Sequence, residues 1–183
     1  MRPRALAVLV LVVSAGCVSI QYAPGGTDSR TAPANATVTV THVVDGDTVD
    51  VRYPSGSTDR VRLLGIDTPE THVDNTPTEY EGVPDTEGGR ACLRDAGENA
   101  SRWLTERVEG EQVTLVFDPM ADQRGDYDRL LAYVYQNGTD LDYRLVADGR
   151  ARVYESSFTH LDEYHAAEDR AQADGRGLWH CAS

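Results

Sequence analysis

A chain of 183 residues with 40% apolar content is enough for one packed domain and excludes a multidomain assembly. Its net charge of −13 comes from 30 acidic residues against 17 basic ones, and every basic residue is arginine. That balance excludes a general basic surface for holding a polyanion, and because pure runs of acid are missing, the charge coats a folded surface and does not form a tail.

Such a surface repels itself in dilute buffer. Near 1 M salt the Debye length falls to about 3 Å and the repulsion is largely screened. The expectation is a protein adapted to a salty, halophilic setting, with an ordinary acidic protein as the alternative.

The first residues read as processing signals. Arg2 and Arg4 precede an apolar run, Ala5 to Val13, which is shorter than the roughly 20 residues of a membrane span. Ser14-Ala15-Gly16-Cys17 then resembles the lipobox of prokaryotic secreted lipoproteins. Residues 1–16 are expected to be a signal peptide and Cys17 a lipidated N-terminus; a plain signal peptide cut near Ala15 is the alternative. Two acyl chains on one cysteine give stable anchoring. Residues 17–36, rich in Gly, Ser, Thr, Pro and Ala, read as a flexible tether. The expected location is therefore the outer face of the cell membrane or the exterior. Asn35, Asn99 and Asn137 sit in glycosylation sequons. Cys92 and Cys181 remain; in an oxidising compartment they could pair, or stay as two buried thiols.

The folded domain is expected over residues 37–183. Thr37 to Val44 and Thr48 to Pro54 alternate as strands around the turn Asp45-Gly46-Asp47, and a third strand spans Thr58 to Ile66. Residues 71–89 read as a long polar surface insert. A helix is expected over Arg90 to Val108, weakened by Gly97. Strands follow at Gln112 to Asp118 and Arg129 to Gly138. A short helix over Leu141 to Gly149 closes on glycine, and a last helix spans Leu161 to Asp174. This order fits an α+β domain, mainly β barrel: an OB-fold, five-stranded Greek-key barrel with about three packed helices.

The chemistry-bearing residues stand at strand ends. Asp47 begins one strand and Asp67 ends another. Two converging carboxylates repel unless a cation sits between them, and oxygen donors select calcium, magnesium or manganese over zinc. No His or Cys pair shows zinc spacing; His160 and His165 are five apart with no partner nearby. Taken singly, each acid in "DGDT" is an ordinary turn former. The combination of "DGDT" (Asp45 to Thr48), "RLLGIDTPE" (Arg62 to Glu70) and "YDRLLAYVY" (Tyr127 to Tyr135) resembles the staphylococcal nuclease, or thermonuclease, family over about Val38 to Trp179.

The resemblance implies a calcium-dependent phosphodiesterase. Asp47, Asp67 and the Thr68 backbone carbonyl would hold Ca2+. Glu70 would serve as base or orienter of the attacking water, and Arg62 and Arg129 would grip the scissile phosphate, as bidentate guanidinium forks do. Tyr127 and Tyr154 match aromatics near the nucleotide, or else simply pack. Substrates would be DNA and RNA with little sequence preference, because stacking on tyrosine tolerates any base, and products would carry a 3′-phosphate. A monomer with no protein partner is expected. The family often has glycine where this chain has Asp128, which puts a carboxylate beside Arg129. Two rivals predict no catalysis: an inactive OB-fold module binding nucleic acid or a partner, and a surface lipoprotein binding an oligosaccharide. Neither accounts for the whole set of acids and arginines.

Overall fold

The computed structural model describes residues 35–182. The leader, the lipobox at Cys17 and nearly all of the tether lie outside the described residues. Among the described residues no helix is long and apolar enough to cross a membrane.

Among the described residues, eight strands and three α-helices run in the order β1 (Ala36–Val43), β2 (Thr48–Arg52), β3 (Thr58–Leu63), β4 (Ile66–Asp67), α1 (Glu87–Val108), β5 (Gln112–Val116), β6 (Leu130–Gln136), β7 (Thr139–Asp140), α2 (Leu141–Ala147), β8 (Arg152–Val153) and α3 (Leu161–Ala173). Strands pair in the order β3-β2-β1-β5-β6-β7, and β6 also pairs with β3. That last ladder closes a five-stranded barrel and is parallel, with Arg62 opposite Leu131. The fold is the expected α+β barrel of the OB type with three helices packed on it.

Alternation explains the core. Val49 and Val51 of β2, and Val61 and Leu63 of β3, point inward and are buried, while Asp50 and Arg60 reach solvent and pair with each other. In β1 the buried set is Val38, Val40 and then Val43. An irregularity in the pairing between Val40 and His42 moves the inward phase by one residue, as a bulge does.

Several boundaries differ from the sequence expectation, each for a local reason. The third strand does not run on to Ile66. It breaks after Leu63, and Ile66–Asp67 forms a separate antiparallel pair with Arg152–Val153. The first helix begins at Glu87, three residues before Arg90, because the Thr86 hydroxyl accepts a hydrogen bond from the Gly89 N–H at 3.1 Å. A side-chain cap of this kind is worth about 1 kcal/mol and offsets the poor helix propensity of Gly88 and Gly89.

The stretch 71–89 is no loose surface loop. Asn75, Pro77, Tyr80 and Val83 are buried, and residues 77–79 make a 3-10 turn. Tyr80 and Val83 join Leu93 and Ala96 of α1, Ala171, and the C-terminal residues Leu178, Trp179 and Cys181 in a second apolar cluster outside the barrel. A disulfide between Cys92 and Cys181, with Cα atoms 5.8 Å apart, ties α1 to the C-terminal 3-10 turn at 177–182.

Candidate active site

The site lies where β2, β3 and β4 meet at the barrel rim. Asp47 immediately precedes β2. Its N–H donates to Asp45 Oδ1 at 3.2 Å, so Asp45 acts as the turn former. Asp47 itself is only 1% exposed. Its Oδ2 accepts from the Thr68 N–H at 2.9 Å and from the Thr68 hydroxyl at 3.2 Å, and its Oδ1 accepts from the Thr48 hydroxyl at 2.9 Å.

Arg62 joins the two carboxylates. Its Nη1 donates to Asp47 Oδ1 and its Nη2 to Asp67 Oδ1, each at 2.6 Å, and Nη2 also reaches the Ile66 carbonyl at 3.3 Å. One guanidinium thus spans both acids, using donors that the planar fork holds apart. Burial pushes the Asp47 carboxyl up to about 7, against the pull of Arg62 and with Asp45 and Asp67 adding to the rise. In a site this dry, the positive charge of Arg62 is held firmly by its two carboxylates.

Glu70 follows three residues after Asp67 and is itself exposed, next to the buried Thr68 and Pro69. A paired contact sets its backbone: the Glu70 N–H donates to Asn75 Oδ1 at 2.8 Å, and Asn75 Nδ2 donates to the Glu70 carbonyl at 2.9 Å. Partial burial, helped by the charges of Asp45 and Asp67, raises its carboxyl above the ordinary glutamate range, while Arg62 and Arg129 pull the other way. A carboxylate whose proton affinity is raised in this way is better suited to accept a proton from water.

Two close approaches hold this segment. A Cβ on Gly46 would meet the Thr68 side chain at 2.7 Å and Ala100 of α1 at 2.9 Å. A Cβ on Gly97 would lie 2.2 Å from the Pro69 carbonyl oxygen. Gly97, which sequence reasoning treats only as a weak spot in the helix, is where the Thr68-Pro69-Glu70 segment rests on α1.

Arg129 immediately precedes β6, which the parallel ladder brings alongside β3. Its Nε donates to the Asp126 carbonyl at 3.1 Å, and its guanidinium lies 5.6 Å from the centre of the Tyr127 ring. Among the described residues no carboxylate is within ion-pair distance of Arg129. The Asp128 carboxylate, which follows Tyr127 in place of the family glycine, lies 3.5 Å from Arg124, which also pairs with Asp59 at 2.7 Å. Tyr127 and Asp128 both have positive φ, 58° and 60°. Glycine is at ease there, whereas a side chain costs about 1–2 kcal/mol. Tyr127 is 93% exposed and Tyr154 48% exposed, so both rings face outward and neither belongs to the core.

Some site residues escape sequence reasoning. Arg152 of β8 stands opposite Asp67 in the β4–β8 ladder and donates to Asp67 Oδ2 at 2.8 Å. It also approaches Glu79 at 3.4 Å and lies 5.4 Å from the Tyr80 ring centre. Asp67 therefore has a guanidinium on each oxygen. A two-residue strand carries too little alternation to reveal such a pair. For Thr68, the contacts seen are its N–H and hydroxyl, both donated to Asp47.

Fold and site together define a closed OB-type barrel with a carboxylate–guanidinium centre at its rim. The family model described as "Staphylococcal nuclease homologue" matches residues 60–181, and the chain belongs to that family. It is 37% identical over 145 residues to the SPbeta prophage-derived endonuclease YokF of Bacillus subtilis, covering 78% of this chain and 43% of that protein. It is 36% identical over 145 residues to endonuclease YncB of the same organism, covering 78% of this chain and 61% of that protein. It is 30% identical over 178 residues to the thermonuclease of Staphylococcus hyicus, covering 93% of this chain and 95% of that protein. The chain thus spans about half the length of the two Bacillus endonucleases and nearly all of the Staphylococcus enzyme.

Proposed function

We propose that this protein is a nuclease that hydrolyses phosphodiester bonds of DNA and RNA with calcium as its cofactor, exported and held at the membrane by a lipid on Cys17. The observation that carries the reading is the cluster of Asp47, Arg62, Asp67 and Thr68 joined by hydrogen bonds of 2.6–3.2 Å, with Glu70 following Thr68 in the same segment and under the charges of Arg62 and Arg129. The relatives named as endonucleases and as a thermonuclease support it.

The donor chemistry suits the cofactor: Asp47 and Asp67 carry hard carboxylate oxygens, the kind calcium selects, and the ion would take the place of the donors they now accept from Arg62. Asp47, Asp67 and the Thr68 carbonyl would hold the ion. When bound, calcium supplies Lewis-acid polarisation of a phosphate oxygen. The chain's own groups do the rest. Arg62 and Arg129 present N–H donors to the non-bridging phosphate oxygens and neutralise the charge that builds there. Glu70, with its raised proton affinity, orients the attacking water and accepts its proton. Tyr127 and Tyr154 offer exposed rings on which bases of any sequence can stack. With so acidic a surface, long-range attraction for the polyanion is weak, and binding rests on these local contacts.

The test is cleavage of single-stranded DNA in multimolar salt by the full chain, with calcium, with a chelator, and with Glu70→Gln. Cleavage that needs calcium and falls at least about 10²-fold in the variant is expected. A folded protein that binds DNA without cutting it under any of these conditions would overturn the enzyme reading in favour of the inactive binding module.

A further inference from the structure

The two guanidiniums on Asp67 are held in different ways. Arg62 donates to Oδ1 at 2.6 Å, and its other donors go to Asp47 Oδ1 and the Ile66 carbonyl, within the centre itself. Arg152 donates to Oδ2 at 2.8 Å, and its other contacts lie outside the centre: Glu79 Oε2 at 3.4 Å and the Tyr80 ring, whose centre is 5.4 Å away. Resting on the calcium reading above, we infer that Arg152 is the positioning residue of Asp67: it holds Oδ2 so that Oδ1 stays on the side of Asp47, and it keeps that hold when Arg62 leaves the carboxylates for a phosphate.

Three observations carry the inference. First, the backbone brings the pair together. Asp67 and Arg152 stand directly opposite each other in the antiparallel β4–β8 ladder, so both side chains leave the same face. The Tyr154 N–H donates to the Gly65 carbonyl at 3.0 Å, and the Val153 N–H donates to Glu168 of α3 at 2.8 Å, which fixes β8 beside β4. Second, the Arg152 guanidinium has an anchor independent of the centre. Tyr80 is buried in the second apolar cluster, which the Cys92–Cys181 bridge ties down. A guanidinium near such a ring gains cation–π attraction. Third, the two oxygens of Asp67 are divided between the two arginines. A carboxylate free to rotate presents either oxygen, whereas one gripped at Oδ2 presents Oδ1. Arg62 is then the exchangeable partner: once calcium replaces its donors on the two acids, its fork is available to phosphate oxygens. Residues 79 and 80 thereby take part in the site at one remove, since they support Arg152 and Arg152 supports Asp67.

Charge and positioning predict opposite signs. Arg152 is a cation beside a carboxylate that would bind a divalent cation. Were charge its whole effect, removing it would tighten calcium binding, because like charges repel. A donor that orients a ligating carboxylate acts the other way, and its loss weakens metal affinity by about 10–100-fold. The Glu79 carboxylate beside Arg152 offsets part of the repulsion, which leaves the orienting effect the larger of the two.

The experiment is a calorimetric titration of the full chain with Ca2+ in multimolar potassium chloride, with circular dichroism as the check on folding. Asp67→Asn identifies the site and should remove most of the binding. Arg152→Met should weaken calcium binding by at least about tenfold. Arg152→Lys, which keeps the charge and a donor without the planar fork, should lie between that variant and the parent. An arginine with a merely structural role would lower the melting temperature and leave the affinity of the folded protein unchanged. A folded Arg152→Met variant that binds calcium as tightly as the parent, or more tightly, would overturn the inference and leave the calcium reading standing. A parent that binds no calcium, or whose binding is unaffected by Asp67→Asn, would overturn both. Should the methionine variant not fold, the lysine variant decides: binding weaker than the parent's supports the inference, and parental binding overturns it.

Discussion

The contact between Gly97 and Pro69 allows a sharp test of how the site is held. Gly97→Ala adds a Cβ 2.2 Å from the Pro69 carbonyl oxygen, and ordinary contact begins near 3.4 Å, so one side must retreat by about 1.2 Å. The helix cannot easily give way, because Leu93, Ala96 and Ala100 pin the same face in the interior. Pro69 must move instead. It sits between Thr68, whose N–H and hydroxyl hold Asp47, and Glu70. A displacement of about 1 Å at a catalytic group costs on the order of 10²-fold in rate. In stability, the better helix propensity of alanine returns up to about 1 kcal/mol, while overpacking costs about 1–3 kcal/mol. The net loss should be about 1 kcal/mol. The assay is the initial rate of single-stranded DNA cleavage with saturating calcium, beside a urea melt of the same protein. Gly88→Ala, on the same helix but with its nearest neighbour at 3.7 Å, is the control and should keep the parental rate. A Gly97→Ala variant cutting at the parental rate would refute the claim that this contact positions Glu70.

Asp142 is fully buried, with one oxygen accepting from the Val134 N–H at 2.7 Å and the other without a partner. Burial, with Asp140 adding to it, raises its carboxyl well above the ordinary range. A raised folded value means the stability this residue permits is full at acid pH and is lost as pH rises toward that value. Asp142→Asn should therefore raise the melting temperature more at pH 8 than at pH 5; equal shifts at both would contradict this. In a chelator, serines at both Cys92 and Cys181 should cost roughly 2–5 kcal/mol in a denaturant melt, since the bridge closes a loop with a sequence separation of 89. A loss below about 1 kcal/mol would show that the second apolar cluster holds without it. Arg62→Leu leaves Asp47 and Asp67 without the cation they share, and should destabilise the calcium-free protein by about 3–5 kcal/mol. Added calcium should then raise its melting temperature by more than it raises the parent's, and a smaller rise would argue against calcium at those two acids.

How much of this could be read from the sequence depends on how local each feature is. "DGDT" and the strand ending in Asp67 announce their acids because both lie at the ends of clean alternating runs. The barrel class followed from the order of elements. The start of α1 was hidden because two glycines argue against a helix that the Thr86 hydroxyl nonetheless caps. The phase change at Thr41 was hidden because one extra residue in a strand leaves no mark on composition. Features built from distant segments were the least visible. Arg152 meets Asp67 across a ladder of two residue pairs, and Cys92 meets His180 from the other end of the domain. Local spacing rules, such as those for zinc ligands, do not see such encounters. The burial of Tyr80 and Val83 escapes the sequence because both stand among polar neighbours and carry no periodic signal.

The parallel ladder between β3 and β6 also works as a ruler for chain length. Arg62 faces the site only because it sits opposite Leu131, with Val61 and Leu63 on either side turned into the barrel. Side chains alternate with a period of two, so one residue added within 59–62 would turn the arginine inward and a valine outward. Two added residues would restore the facing but shift the ladder. At the hairpin turns around Gly56 and Gly138, where the surroundings are open, the chain can be lengthened freely. The tolerance of this domain to insertion is therefore set by odd and even numbers on two of its strands and hardly at all at its turns.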